Sequence, residues 1–522
     1  MNEENERKLS VENIWTTIYC CCLFLVFPLF VRDGYVNIME AKANFCLVTT
    51  GIYLIGTISI AALKKVQEGT NIFISGDSLS LTDFFCIVLM MDIVLGALLN
   101  KLNPEVLWAS KGKLFGFIFL MMCCIAYFFI SRTFRMNQGI LWGLLFGSIL
   151  TAVFVICSRF GVDIFHFYDI IVKNQRSVFL GTLGQINIVA SFFCVLIPFW
   201  MGCYLYSKEI VSKLLFGSTL FLSITAGLSS NSDSIFLGIA GAYLFYLWFA
   251  FEDLEKLSAY FQCVSMLFLS ASFVGICTYI VKHRMNFTVK WDILQQQFLK
   301  YILAYFIIAV FLSVSSILVK KANLTCPLIK ARRIILAIVI ILFILGIAIV
   351  TINDKKLEKL NVIQQYLVFN DSWGSNRGYV WKRTVRLFGK MPLWKKIIGC
   401  GMGMFPSFFE VFHADSIKQF GYYFVDAHNE FLQFLVTTGI IGCISYFGMI
   451  ITTFIRNLLF IRNRKKSEKS GNELSVIVPA ILFVWLLQGL VNSPNVFITP
   501  YLFLFIGMGQ NVVTEERKKM RS

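Results

Sequence analysis

Charge is scarce in this chain. Only 15% of its 522 residues are charged, and four are histidine. That is too little to solvate the surface of an ordinary soluble domain, and a mean hydropathy of +0.72 excludes that class. Metal and nucleotide signatures are missing too. The 15 cysteines show no zinc or redox spacing, there is no Asp-x-Asp, and no paired carboxylates stand out. The apolar stretches lack the strict alternation of a membrane barrel strand, which argues against sheet. Acid is the rarer sign, leaving a net charge of +17. In so apolar a chain the excess base fits cytoplasmic loops and anionic headgroups, and no nucleic-acid partner is expected.

What is present is hydrophobic helix. A span needs about 20 apolar residues, and runs of that length recur at 14–31, 43–62, 81–99, 113–131, 139–158, 186–206, 212–229, 233–250, 259–281, 298–319, 333–352, 430–455, 475–491 and 495–512. The expected fold is an all-α polytopic transmembrane helical bundle of about 12–14 spans, with one long external loop containing short interfacial helices. It divides into an N-terminal transmembrane region, 1–352, an external loop, 353–429, and a C-terminal transmembrane region, 430–522. Cysteines such as Cys20-Cys21-Cys22 and Cys123-Cys124 lie inside apolar runs and read as small packing residues. The stretch Ile14 to Val31 lacks a small-residue cleavage site and reads as a first span, not a cleaved signal.

Basic residues orient the bundle. With a cytoplasmic N-terminus, the clusters Lys320/Lys321/Lys330/Arg332/Arg333, Arg462/Arg464/Lys465/Lys466/Lys469 and Arg517/Lys518/Lys519/Arg521 all fall inside. With the long loop set aside, roughly two basic residues lie inside for each one outside. Both termini are then cytoplasmic, the loop 353–429 faces out, and the protein is multi-pass in the cell (cytoplasmic) membrane.

The polar interruption at 353–429 is where chemistry should gather, because long ordered loops in compact proteins are usually functional. Ser375 or Asn376 can cap a helix running to about Phe388, with Val380, Trp381, Thr384, Val385 and Phe388 on one side and Lys382, Arg383 and Arg386 on the other. Such a helix would rest in the membrane interface with Trp381 at headgroup depth. Pro392 ends it. Gly399, Gly401 and Gly403 then permit a tight, positive-φ turn, and with no preceding strand they are no dinucleotide loop.

Four positions carry candidate chemistry. Arg377 opens the loop helix, where a guanidinium can grip phosphate oxygens in bidentate fashion; a snorkelling surface arginine is the plainer alternative. Arg176 stands on the same external side, followed by Gly181, Gly184, Gln185 and Asn187, a setting that suits a pyrophosphate or sugar as well as ordinary capping. His428, with Asn429 and Glu430, stands where the loop re-enters the membrane, and imidazole can take a proton from an acceptor hydroxyl near neutral pH. A structural histidine is the competing reading. Asp233 lies at the external end of a span, where it could orient a cation or a sugar hydroxyl or simply cap a helix.

The arrangement Arg377-x-x-x-Trp381, Pro392-Leu393, Gly399-x-Gly401-x-Gly403-x-Phe405 and Ala427-His428-Asn429, followed by Phe431-Leu432 and Thr438-Gly439-Ile440-Ile441-Gly442, resembles the O-antigen ligase and Wzy-type polymerase superfamily of bacterial membrane proteins. The stretch from Arg176 through Gly181-Thr182 to Asn187-Ile188-Val189-Ala190 looks like a second feature of that family. Gln185-x-Asn187 is similar to the glutamine-containing version in related protein-glycosylating enzymes. Residues 353–455 form the O-antigen ligase-like core.

The resemblance implies a glycosyltransferase needing neither metal nor cofactor, with an undecaprenyl-pyrophosphate-linked glycan donor and a glycan, lipid or protein acceptor. It implies that Arg176 and Arg377 hold the pyrophosphate, with Gln185, Asn187 and Asn429 among the substrate-binding residues, and that His428 is the catalytic base. Two departures bear on the acceptor: Ser-Asn-Ser-Asp-Ser occupies 230–234 where many members carry Ser-Arg-Gly-like residues, and about fourteen spans are counted where twelve are commoner. A transporter or flippase for lipid-linked glycans shares the helices and the arginines but needs no base at His428. A peptidoglycan-polymerising membrane enzyme shares the donor logic and matches the loop motifs less well.

Overall fold

The computed structural model describes residues 10–69, 79–109, 113–172, 175–285, 287–321, 369–464 and 473–521, with single positions and short runs between 328 and 345. Among them, nine helices are long and apolar enough to cross a membrane, and Phe117–Thr133, Ser234–Ala250 and Leu474–Gly489 are shorter apolar helices. With Thr499–Arg521 they account for every expected span except 333–352, which lies largely outside the described residues. The only strands among the described residues are the two-residue pair Phe179–Leu180 and Gly184–Gln185. The all-α polytopic bundle is the fold.

Eight helices matter for the site: α1 (Leu81–Leu99), α2 (Gln138–Arg159), α3 (Ile186–Tyr206), α4 (Ile210–Ser229), α5 (Ser234–Ala250), α6 (Trp373–Lys390), α7 (Glu430–Thr437) and α8 (Gly439–Arg464). The bundle is centred on α3, whose apolar window is wholly buried. It is hydrophobic all round because it touches protein on every side, packing on α4, α5 and Leu474–Gly489. Pro198 interrupts it, and the Tyr246 hydroxyl donates to the Pro198 carbonyl at 2.8 Å, so the interruption is tied to a neighbouring helix.

The expected span 430–455 is broken in two. Helix α7 stops at Thr437 and α8 starts at Gly439, whose φ of +63° turns the chain between them. The Gly399–Gly403 turn packs into this corner. Cys400 N–H donates to Val436 O and Gly401 N–H to Thr437 O, both at 2.9 Å. Gly399, Gly401 and Gly403 all have the expected positive φ, between 78° and 105°. Their close approaches are to protein backbone: a Cβ on Gly399 would meet Thr437 O at 2.3 Å, and one on Gly403 would meet Glu105 O at 2.3 Å.

The long loop has a core of its own. Tyr379, Val380, Cys400, Phe405, Phe409, Phe424, Ala427 and Val436 form an apolar cluster separate from the main bundle. The expected helix at 376–388 is present in α6, and its Val380–Thr384 side is buried against this cluster. Lys382 and Arg383, on the other side, reach Asp371 at 3.4 and 3.0 Å. Trp381 is half-buried and donates its indole N–H to the Ala427 carbonyl at 3.1 Å, which fixes it to the loop core and not freely at the surface.

Candidate functional site

The site forms where α6 begins and α7 begins. At the first point the expected cap is not made. Gly374, Ser375 and Asn376 are all left-handed, with φ of 58°, 59° and 71°, so neither Ser375 nor Asn376 has the extended backbone an N-cap requires. Asn376 instead donates to the Tyr422 hydroxyl at 2.9 Å. The kink folds the chain over the start of α6, and Arg377 closes it by donating from Nη1 to Gly374 O at 2.8 Å. Gly378 makes the fold possible, because any Cβ there would stand 1.9 Å from Asn370 O.

Arg377 is left with unused capacity. Its Nε is buried without a hydrogen-bond partner, and no carboxylate lies within ion-pair distance of it among the described residues. Burial pulls the guanidinium below its ordinary value, against the opposing charges of Asp233, Asp426 and the Tyr422 hydroxyl. A guanidinium remains protonated in proteins regardless, so this is a desolvated cation with donors to spare.

At the second point, His428 is itself left-handed, at φ 46°. The conformation is held by hydrogen bonds on both sides. His428 N–H donates to Asp426 Oδ1 at 2.9 Å, and Asn429 caps α7 by accepting from Leu432 N–H at 2.9 Å. Strain of this kind persists only where its surroundings enforce it. The His428 ring lies with Nδ1 3.2 Å from Asp426 Oδ1, and its side chain is one-third exposed. That approach favours the proton on Nδ1, beside the carboxylate, with Nε2 as the acceptor.

Asp426 is the hub. Besides His428 it accepts from Ser493 Oγ at 2.8 Å on Oδ1, while Lys113 pairs with Oδ2. Burial alone would raise the carboxyl, but His428 and Lys113 outweigh it and hold Asp426 well below the usual carboxylate range. For His428, burial lowers the imidazole, Asp426 raises it, and Arg377 and Lys113 lower it again, so it ends below its ordinary value. The neutral base form therefore prevails at neutral pH.

The sequence reading singled out His428 and Arg377, and the fold brings them within electrostatic reach of each other. Lys113, Asp426 and Ser493 escaped it. Asp426 stands two residues before His428, so proximity was available as a signal; Lys113 and Ser493 offered none. Asn187 accepts from Ser232 Oγ at 2.7 Å and so joins the turn that carries Asp233. Asp233 precedes α5 without making a side-chain cap. Gln185 is exposed just before α3. Asn429 is buried, and besides capping α7 it donates to Leu490 O at 2.8 Å. Arg176 donates to Ile171 O at 3.3 Å within its own loop and is not among the charges that act on Arg377 or His428.

A buried arginine belongs to the frame. Arg159 donates to the carbonyls of Ser229 and Ser230 at 2.6 and 2.8 Å and lies over Trp291, so it serves the negative end of α4. Among the described residues no group of three or more His, Cys, Asp and Glu is gathered closely enough to hold a metal ion.

The arrangement can take a proton at Nε2 beside a desolvated cation able to grip an anion, and both stand at the mouth of a helical bundle. No curated protein matches the chain. Residues 301–447, which include α6, Arg377, Asp426 and His428, match the family model described as O-antigen ligase, which supports a place for the chain in the O-antigen ligase and polymerase superfamily.

Proposed function

We propose that this protein is a membrane glycosyltransferase of surface polysaccharide biosynthesis that transfers or polymerises glycan from an undecaprenyl-pyrophosphate donor on the outer face of the cytoplasmic membrane. The observation that carries the reading is the convergence of His428, oriented by Asp426, with the partly unpartnered guanidinium of Arg377. The acceptor hydroxyl oxygen attacks the anomeric carbon, and the bond from that carbon to the pyrophosphate oxygen breaks. His428 Nε2 takes the hydroxyl proton, and the pyrophosphate leaves with the bonding electron pair.

Arg377 stabilises the charge that develops on the leaving group, and Arg176 contributes from the earlier loop that precedes α3. Cations fixed in a poorly solvated site stabilise such charge without reorganising, so the reaction needs no metal in this reading. Asn187 and Gln185 border the donor, and Asn429 holds the turn that presents His428. The donor is membrane-anchored and enters laterally between helices. The acceptor, whether glycan, lipid or protein, arrives from the aqueous side under the loop. The alternation of basic loops supports cytoplasmic termini and an external loop.

The test is transfer by the purified full chain, given lipid-linked donor and acceptor, beside His428→Ala and Arg377→Ala. Loss of transfer in variants that insert normally supports the reading, and full activity in His428→Ala overturns the mechanism. Glycan chain length in a deletion strain separates the two reactions. Loss of long chains marks a polymerase, whereas intact chains that fail to reach their anchor mark a ligase.

A further inference from the structure

A second cationic site lies at the opposite end of α5. The helix begins beside Asp233, which faces Arg377, and Trp248 stands fourteen residues past Ser234, about 21 Å further along the axis. There Leu244, Phe245, Leu247, Trp248, Phe251 and Phe483 line a cavity of about 210 Å³, with Arg332 as its one charged wall among the described residues. The Arg332 guanidinium lies 4.0 Å from the centre of the Trp248 ring. Its Nε is buried without a hydrogen-bond partner, and no carboxylate pairs with it among the described residues. Leu244 and Trp248 are 41% and 39% exposed, so the cavity opens sideways from the bundle.

We infer that this cavity binds one anionic glycerophospholipid, with an acyl chain against the aromatic wall and the headgroup phosphate on Arg332. Two independent features point to one ligand. The walls are apolar and sized for part of a chain, and the rim carries a cation with an unfilled donor, reinforced by Lys320, Lys321, Lys330 and Arg333 nearby in sequence. Basic pockets between helices at a membrane surface recognise lipid phosphate in this way. Stacking on Trp248 holds the guanidinium plane fixed, so its N–H groups are already directed when a phosphate arrives. The site is separated from His428 by the length of α5, and its occupancy does not depend on the transfer reaction.

The experiment uses the full chain in phosphatidylcholine vesicles doped with diazirine-labelled phosphatidylglycerol or, separately, diazirine-labelled phosphatidylcholine. Crosslinks are mapped by mass spectrometry. Labelling of 244–251 and Phe483 should favour phosphatidylglycerol. Arg332→Gln should lower that preference about fivefold, the effect of removing one basic side chain from an anionic surface. Arg332→Lys should retain part of it, and Leu244→Trp, which fills the cavity and leaves the charge, should also reduce labelling. Equal labelling by both lipids overturns the proposal. So does an effect confined to Arg332→Gln, which would mark a headgroup contact with no chain in the cavity, or one confined to Leu244→Trp, which would mark a chain site indifferent to charge. Displacement of the label by undecaprenyl phosphate at equal amounts would assign the cavity to that lipid and overturn the choice of occupant.

Discussion

Asp426 Oδ1 and His428 Nδ1 stand 3.2 Å apart across a turn in which His428 itself is left-handed. The carboxylate does two things through one oxygen: it holds the backbone that presents the ring and stands beside Nδ1, where it favours the proton. His428→Ala should cost roughly 10²–10⁴-fold in transfer rate, the usual worth of a positioned general base. Asp426→Asn should cost less but move the pH profile. In the proposed mechanism transfer needs neutral His428, so the rate should rise with pH through the imidazole pKa. Asp426 raises that pKa, so its neutralisation should shift the acidic limb to lower pH. An unmoved limb in the purified enzyme would show that Asp426 does not act on His428.

Lys113 should shift the same profile the other way. It lowers His428 and also helps hold Asp426 ionised. In Lys113→Met both groups rise, and the acidic limb should move to higher pH. Asp426 has a depressed pKa, so the stability it contributes is present above the ordinary carboxylate range and is lost as pH falls through its folded value. Without Lys113 the folded value lies closer to the unfolded one, so this contribution is smaller and its loss is complete at higher pH, read as a thermal midpoint that falls less between neutral and acidic pH.

Arg377→Lys separates charge from geometry. An ammonium keeps the sign but cannot reproduce a bidentate grip on phosphate oxygens. A loss of about 10- to 100-fold in kcat/KM for the lipid-linked donor is expected, matching the ~1.5–3 kcal/mol of a hydrogen bond to a charged group. Wild-type kinetics in this variant would count against phosphate binding at 377.

Two glycines in one helix should behave oppositely. Gly378→Ala drives a Cβ to within 1.9 Å of Asn370 O and must open the turn that presents Arg377. Transfer should fall at least about tenfold, with destabilisation of about 1–3 kcal/mol. Gly389→Ala meets nothing within 4 Å and should leave transfer unchanged, with a slight gain in thermal midpoint from helix propensity. Equal effects would sever the link between the 370–377 turn and the site.

The spans could be read from the chain because length and hydropathy of a membrane helix are local properties. α3 was expected at 186–206 and is found at Ile186–Tyr206. The positive φ of Gly399, Gly401 and Gly403 was legible for the same reason, since freedom of rotation belongs to the residue type. Caps were less legible. Ser375 and Asn376 are good capping residues, yet both are left-handed in a turn that brings Gly378 against Asn370.

The sequence by itself therefore determined an all-α membrane bundle, the loop that interrupts it, and the two side chains whose chemistry is distinctive wherever they stand, His428 and Arg377. Only the tertiary structure decided what surrounds them. Lys113 reaches Asp426 across 313 residues and Ser493 across 67, and no local pattern encodes a meeting of that kind. The packing that brings them together buries Asp426 with Lys113 on one carboxylate oxygen and the His428 ring beside the other, and burial strengthens each of those contacts.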